Sequence, residues 1–167
     1  MSLNISGLFL IATLYFSIMS DHNNILGREH EEILEQLEEA SAKNTATSKV
    51  FREMLGKFRH HLGEENDTIV PLLSYIKERT NGKAVETNGI YFSAEQKFNS
   101  NFDIMIKEHR IIQDLISKVQ EQLKANPDEQ SSNLSKTLLD HIELEEEFLY
   151  PAAKTAGEIM RLEKKTQ

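Results

Sequence analysis

The sequence has no cysteine and no tryptophan, and only 7 of its 167 residues are glycine and 3 are proline. Without cysteine there can be no disulfide, zinc–thiolate site, iron–sulfur cluster or thiol nucleophile. Any metal site must therefore be built from histidine and carboxylate, which leaves iron, zinc, manganese, copper or nickel as candidates. Because residues that break helices are scarce while Glu, Leu, Ile and Lys are abundant, the composition favours helices.

Clustered positive charge is also lacking, since the formal net charge is −8. Nucleic-acid binding selects for clusters of Lys and Arg, so this balance argues against nucleic acid as a partner. The chain contains no Gly-rich phosphate loop and no His-Glu-x-x-His zinc-protease motif. The Glu-x-x-His motif of ferritin-like di-iron proteins is absent as well.

Long apolar runs are restricted to one segment near the start, Leu8 to Met19, which carries no charge. A membrane-spanning helix needs about 20 apolar residues, and a secretory signal would have Lys or Arg ahead of its apolar part. We therefore expect residues 1–20 to form an apolar arm or helix packed on the domain. The corresponding expectation is a cytoplasmic protein, with export or membrane attachment as the less favoured alternative.

Residues 21–164 show apolar positions at helical spacing, and strand-like alternation is absent. Turn signals divide this region into four predicted helices, at about 21–43, 49–79, 94–124 and from about 129 to 164. Helices joined by connections of this length pack antiparallel. The sequence thus predicts one all-α domain, an up-down-up-down four-helix bundle with the extra apolar segment before it.

The four predicted helices form an internal repeat. Equivalent residues lie 79 or 80 positions apart, and the pairs are His30 and His109, His61 and His141, Glu65 and Glu145, and Pro71 and Pro151. The first two helices and the last two thus resemble two copies of one hairpin. A bundle of two such hairpins has approximate two-fold symmetry, which would bring the symmetric histidines together at its centre.

This arrangement suits a pair of metal ions. In a helix, positions i and i+4 point the same way, so His61 with Glu65, and His141 with Glu145, each offer one imidazole and one carboxylate able to bridge two cations. The predicted ligands are His30, His61, Glu65, His109, His141 and Glu145. Four nitrogen donors and two carboxylates suit two iron ions, with zinc or manganese as substitutes. An open coordination position would remain for oxygen, nitric oxide or peroxide.

We expect the neighbouring polar residues not to be metal ligands. His60 is rotated about 100° from His61, and His22 lies two turns before His30, so both are expected at the surface. Glu29 and Glu108 are expected to be solvated charges, with hydrogen bonding to an imidazole N–H as the less favoured alternative. Each proline of the repeat removes a helical hydrogen bond, which predicts a kink or local distortion after each carboxylate.

At these residues the sequence resembles the hemerythrin-like, or HHE cation-binding, family. The similarity covers about residues 21–160 and is carried by REHEEI, HLGEENDTIVP, KEHRII and HIELEEEFLYP. It implies a non-haem di-iron centre bridged by two carboxylates, with roles in oxygen carriage, oxygen or nitric oxide sensing, iron-dependent regulation or repair of iron centres. Oxygen-carrying members have a further histidine one turn before His109, where this chain has Met105, and one turn after His109 lies Gln113. This difference favours sensing, nitric oxide chemistry or iron handling over oxygen storage.

Three functions follow from these observations. The first is a di-iron protein that binds or senses oxygen or nitric oxide, or handles iron, and is a binding protein rather than an enzyme. The second is an oxidase or peroxidase-like enzyme using the same open positions. The third is a metal-free helical interaction domain. Elemental analysis separates the third from the others, and steady turnover of oxygen or peroxide separates the second from the first.

Overall fold

The computed structural model describes residues 22–83, 85 and 89–166, with side chains from residue 28 to residue 165 outside the gaps. Five α-helices and one π-helical turn cover most of this part of the chain. They are α1 (His22–Ala42), α2 (Ser48–Thr80), α3 (Ile90–Ala125), α4 (Glu129–Leu144), the π-turn (Glu145–Leu149) and α5 (Tyr150–Thr166). The predicted apolar arm, residues 1–20, lies outside the described residues.

The described residues contain no strand, which confirms the all-α prediction. The first three predicted helices are α1, α2 and α3, and α3 begins four residues earlier than expected. The fourth predicted helix is a continuous helical run made of α4, the π-turn and α5. Of the two distortions predicted at the prolines, one is found, since the π-turn lies directly before Tyr150 and Pro151. At Pro71, α2 continues as one α-helix and forms no π-turn.

One compact unit consists of residues 26–64 and 102–144, and contains parts of α1, α2, α3 and α4. All four helices contribute to its core, which comprises Ile33, Leu37, Ala40, Phe51, Met54, Leu55, Phe58, Leu62, Ile112, Leu115, Ile116, Val119, Leu134, Leu138 and Ile142. The apolar residues of each helix recur every three or four positions, so one stripe of each faces this core. This unit is a four-helix bundle, as the sequence predicts.

Polar contacts in this unit show the helix directions. Arg52 donates to the carbonyl of Ser41 and Arg59 pairs with Glu38, so α2 runs antiparallel to α1. The connection before α2 is held by backbone bonds from Ser48 to Thr45 and from Val50 to Thr47. Before α4, Asp128 caps the helix by accepting bonds from the amide and hydroxyl of Ser131.

The second compact unit contains residues 65–101 and, from residue 145 onward, the π-turn and α5. Here Tyr91 of α3 donates to Glu78 of α2, and Lys97 pairs with Asp67, so these two helices are antiparallel. Between α3 and α5, Gly157 lets the buried Glu95 side chain approach closely, since a Cβ at Gly157 would lie 2.8 Å from Glu95 Cγ.

The connection between α2 and α3 contains the two predicted Asn-Gly turn signals. Gly82 and Gly89 both have positive φ angles, 76° and 64°, a conformation that favours glycine. Within the described parts of the chain, none of the helices combines the length and the hydrophobicity that crossing a membrane requires.

Candidate metal centre

All six predicted ligands are buried. His30, on α1, is 8 % exposed, and the others are 2 % exposed or less, namely His61, Glu65, His109, His141 and Glu145. A buried imidazole or carboxylate loses its hydration, which is unfavourable unless a hydrogen bond, an opposite charge or a metal ion compensates. Six such side chains lie on helix faces that are otherwise apolar. Their burial therefore requires a common explanation.

The donor atoms of these residues form two groups. The first consists of His30, Glu65, His141 and Glu145, and the second of His61, His109 and Glu145. Within each group, one nitrogen or oxygen atom from every residue lies within 4.8 Å of the others. Glu145 belongs to both groups, whereas Glu65 belongs only to the first. The sequence repeat predicts that Glu65 and Glu145 are equivalent, whereas they differ in the number of donor groups to which they belong.

The second group has a close pair of ring nitrogens. His61 Nε2 and His109 Nε2 are 3.0 Å apart, and the two ring centroids are 4.5 Å apart. Two nitrogens bound to one metal at about 2.1 Å and at right angles are about 3.0 Å apart, so the geometry fits shared coordination. In the first group, the rings of His30 and His141 lie edge to face at 4.9 Å.

An aromatic side chain closes the apolar side of these imidazoles. The Phe58 ring lies 5.6 Å from that of His141, 6.4 Å from that of His30 and 6.5 Å from that of His61. Phe58 comes three residues before His61 on α2, so it faces the same side of the helix. Its ring keeps water from the imidazoles on that side and restricts the positions they can take.

Two carboxylates lie behind the histidines of the His-x-x-x-Glu pairs. Glu108 Oε2 is 3.3 Å from His61 Nδ1, and its other oxygen is 2.7 Å from Nδ1 of His60. Glu29 Oε1 is 3.9 Å from His141 Nδ1, an electrostatic contact longer than a hydrogen bond. A carboxylate at Nδ1 fixes the ring orientation and leaves Nε2 to bind a metal.

The sequence reasoning favoured a solvated position for Glu29 and Glu108 and ranked partnership with an imidazole second, whereas the structure places both carboxylates at histidine Nδ1 atoms. The available signal was the repeat itself, since each precedes an equivalent histidine. His60 has a side chain that is 64 % exposed, which agrees with the expected surface position. Its contact with Glu108 was not expected. The side chain of His22 lies outside the described residues.

Tyr150 is another residue that the sequence reasoning did not select. It is buried, and the carboxylates of Glu65 and Glu145 act on it electrostatically. Burial raises the pKa of Tyr150 far above its usual value, and the negative charges of Glu65 and Glu145 raise this pKa further. The phenol is therefore neutral at physiological pH.

Met105 is fully buried on α3, one turn before His109. This is the position where oxygen-carrying hemerythrins have a further histidine. Methionine has no nitrogen in its side chain, so this position supplies no fifth nitrogen ligand. Its thioether is a soft donor and binds hard ferric iron weakly. Gln113, one turn after His109, is half-buried.

The donor set is suited to metal binding. Imidazole and carboxylate suit iron, zinc and manganese, and each of the two buried donor groups could hold a metal ion. The four imidazoles come from four different helices, α1, α2, α3 and α4, which all contribute to one compact unit.

Comparison with known proteins agrees with this chemistry. Residues 21–153 match the profile of the hemerythrin HHE cation-binding domain. Neither the curated proteins nor the solved structures contain a significant match. Because the matched region is most of the chain and includes both His-x-x-x-Glu segments, this protein belongs to the hemerythrin HHE cation-binding domain family.

Proposed function

We propose that this protein binds two iron ions and uses an open coordination position to bind or sense oxygen or nitric oxide, or to handle iron. The observation that carries the proposal is the pair of donor groups sharing Glu145. A carboxylate common to two groups is the arrangement that a bridged metal pair needs. The proposed ligands are the six buried side chains of these groups, and zinc or manganese can substitute for iron with the same donors.

Bound iron would supply a redox-active centre with positions for small ligands such as oxygen, nitric oxide or peroxide. The chain's own residues supply the rest. Glu108 lies at Nδ1 of His61, so that Nε2 of His61 faces the other donors of the second group. Phe58 excludes water from the apolar side of the His61 ring. The second group contains three residues rather than four, which supports placing the open position there.

The proposal is tested by purifying the protein without added metal and measuring its metal content. We expect about two irons per chain, since each donor group takes one ion. The matched control is a double variant, His61→Ala with His141→Ala, which removes one nitrogen from each group. A well-folded wild-type chain that stays metal-free in excess iron would contradict the proposal and support an interaction domain.

Thermal unfolding provides an independent measurement. At a free-metal concentration about 1,000 times the Kd, each bound ion adds about 4 kcal/mol to the free energy of unfolding. For a chain of this size, each ion should therefore raise the Tm by about 8–16 °C. Exposure of the reduced, iron-loaded protein to nitric oxide should then change its visible absorption, and steady consumption of oxygen or peroxide would instead indicate an enzyme.

A further inference from the structure

A cavity of about 740 Å³ lies between the first part of α3 and the last part of α5, within the second compact unit. Cavities that bind small ligands usually have volumes of about 300–1,000 Å³. The charged side chains that line it are three cations, Arg161, Lys164 and Lys165, and one carboxylate, Glu95. The chain as a whole has 27 acidic and 19 basic residues, so this cavity has the opposite balance of charge.

The carboxylate of Glu95 is already engaged by other side chains. It accepts a hydrogen bond from the Asn99 amide and pairs with Nη1 of Arg161 at 3.4 Å. Its side chain is 6 % exposed, and a buried charge of this kind needs such partners. The guanidinium of Arg161 has five N–H donors and its side chain is 49 % exposed, so it can also bind a second anion from the cavity. Glu95 therefore orients Arg161 at the cavity wall.

Lys164 and Lys165 add two positive charges that no carboxylate balances. Nζ of Lys164 lies 4.5 Å from the centroid of the Phe92 ring, and this attraction holds the ammonium in place without removing its charge. Within the described parts of the chain, neither lysine forms an ion pair. The adjacent acidic residue, Glu163, pairs instead with Arg79 of α2. The cavity therefore keeps an excess of positive charge.

A purely structural role accounts for part of this arrangement. Lys164 and Lys165 lie in the last turn of α5, where the helix dipole favours cations. The dipole does not account for a cavity of ligand size beside them. It also does not account for Arg161, a third cation on the same cavity wall, which a buried carboxylate holds there.

We propose that this cavity binds a small organic anion with two negative charges, either a dicarboxylate or a phosphate monoester. The planar guanidinium of Arg161 matches the oxygen pairs of a carboxylate or phosphate, and the two ammonium groups supply the remaining charge. None of the six proposed metal ligands lines the cavity, so the inference goes beyond the proposed metal function and does not depend on it.

The test is isothermal titration calorimetry of the full chain with succinate and with glycerol phosphate, at physiological ionic strength. Succinamide, which has the same carbon skeleton as succinate and no charge, is the control ligand. We expect saturable binding of at least one of the two anions and no binding of succinamide. The comparison of the anions shows whether the ligand class is a dicarboxylate or a phosphate monoester. If neither anion binds saturably, the inference is wrong.

Substitutions test whether the cavity is the binding site. Lys164→Gln with Lys165→Gln removes two positive charges and should raise the Kd by about 10-fold, the loss expected for two partly exposed ion pairs. Lys165→Glu places a negative charge at the cavity and should abolish measurable binding. The matched control, Lys118→Gln with Lys154→Gln, makes the same charge change at exposed lysines of α3 and α5 outside the cavity, and its Kd should stay within error of the wild type. Equal weakening by the control would overturn the inference, because overall charge would then determine binding.

Removal of metal separates this inference from the proposed function. Wild-type protein treated with a chelator and desalted should bind the anion with an unchanged Kd, because the cavity contains no proposed metal ligand. Loss of anion binding after this treatment would place the anion at the metal centre and contradict the inference. A chain that binds the anion but takes up no iron would contradict only the proposed function.

Discussion

The Nε2 atoms of His61 and His109 lie 3.0 Å apart, and both imidazoles are fully buried. If these atoms form a hydrogen bond, one ring must carry its proton at Nε2, whereas shared coordination to a metal requires both nitrogens to be unprotonated. Glu108 lies at the Nδ1 side of His61, where an ionised carboxylate can only accept a hydrogen bond. This contact favours the tautomer of His61 that carries its proton on Nδ1, and that tautomer leaves Nε2 unprotonated for a metal.

The first prediction concerns this pair. His61→Ala or His109→Ala leaves only two members in the second donor group, so metal content should fall from about two to about one per chain, since an isolated pair of ligands holds a metal weakly. The control, His60→Ala, changes the adjacent exposed histidine and should keep the metal. Elemental analysis after desalting measures both. Equal losses from His60→Ala and His61→Ala would show that the helical register is wrong.

The second prediction concerns the carboxylates behind the histidines. Glu108→Gln and Glu29→Gln should each weaken metal binding, by about 10- to 100-fold, because each removes a charge that orients an imidazole. Glu108→Gln should have the larger effect, since Glu108 lies 3.3 Å from its histidine and Glu29 lies 3.9 Å from its own. Competition with a chelator of known affinity measures the change.

Glu31→Gln is the control for this pair of substitutions. Glu31 is exposed on α1, so its replacement makes the same change in net charge without touching an imidazole. Metal affinity should stay within error of the wild type. An equal weakening by Glu31→Gln would mean that the overall negative charge, and not the contact with His61 or His141, determines affinity.

The third prediction concerns Met105. Because its side chain is buried one turn before His109, Met105→His should add a nitrogen donor, shift the visible absorption of the iron-loaded protein and increase its affinity for iron. Met105→Leu, which nearly conserves volume and has no donor, should leave the spectrum unchanged. Identical spectra for the His and Leu variants would place residue 105 away from the metal.

The fourth prediction concerns the cap of α4. Hydrogen bonds from the Ser131 side chain and amide hold the pKa of Asp128 below its usual value. The folded-state pKa is thus lower than the unfolded one, so the cap stabilises the protein fully above the usual carboxyl range and loses this effect as pH falls through the lowered pKa. At pH 7, Asp128→Ala should cost about 1 kcal/mol.

Urea unfolding of the metal-free protein at neutral and acidic pH measures this difference. Asp128→Asn retains a capping oxygen that does not titrate, so its stability relative to Asp128→Ala should not change with pH. The wild type should lose its advantage over Asp128→Ala at acidic pH. A pH-independent advantage of the wild type would show that the ionised carboxylate contributes nothing.

The amino-acid sequence was sufficient to predict the helices and the residues that come together. Apolar spacing placed three of the four predicted helices close to their observed bounds, because a 3.6-residue period is a local property. The repeat identified all six members of the two donor groups, since His-x-x-x-Glu at one-turn spacing fixes a shared direction on a helix. Family membership followed from the same residues.

The tertiary structure decided how the two copies of the sequence repeat differ. A repeat in sequence predicts equivalent carboxylates and equivalent prolines, yet α2 continues through Pro71 while the chain forms a π-turn before Pro151. The hydrogen-bond pattern of a helix around a proline depends on what its side chains pack against. The spacing of residues along the sequence does not specify those contacts. Tyr150, which directly follows the π-turn, is buried, whereas Val70 at the equivalent position of α2 is 44 % exposed.

The partners of the histidines were likewise decided by packing between helices. Glu108 and His61 are 47 residues apart in the chain, so no local pattern links them, and an isolated glutamate beside a histidine is most often solvated. Only when α2 and α3 lie side by side does the carboxylate reach Nδ1. The sequence therefore determined which residues make up the two candidate donor groups, and the tertiary structure determined how their side chains are oriented, because orientation depends on contacts between distant segments of the chain.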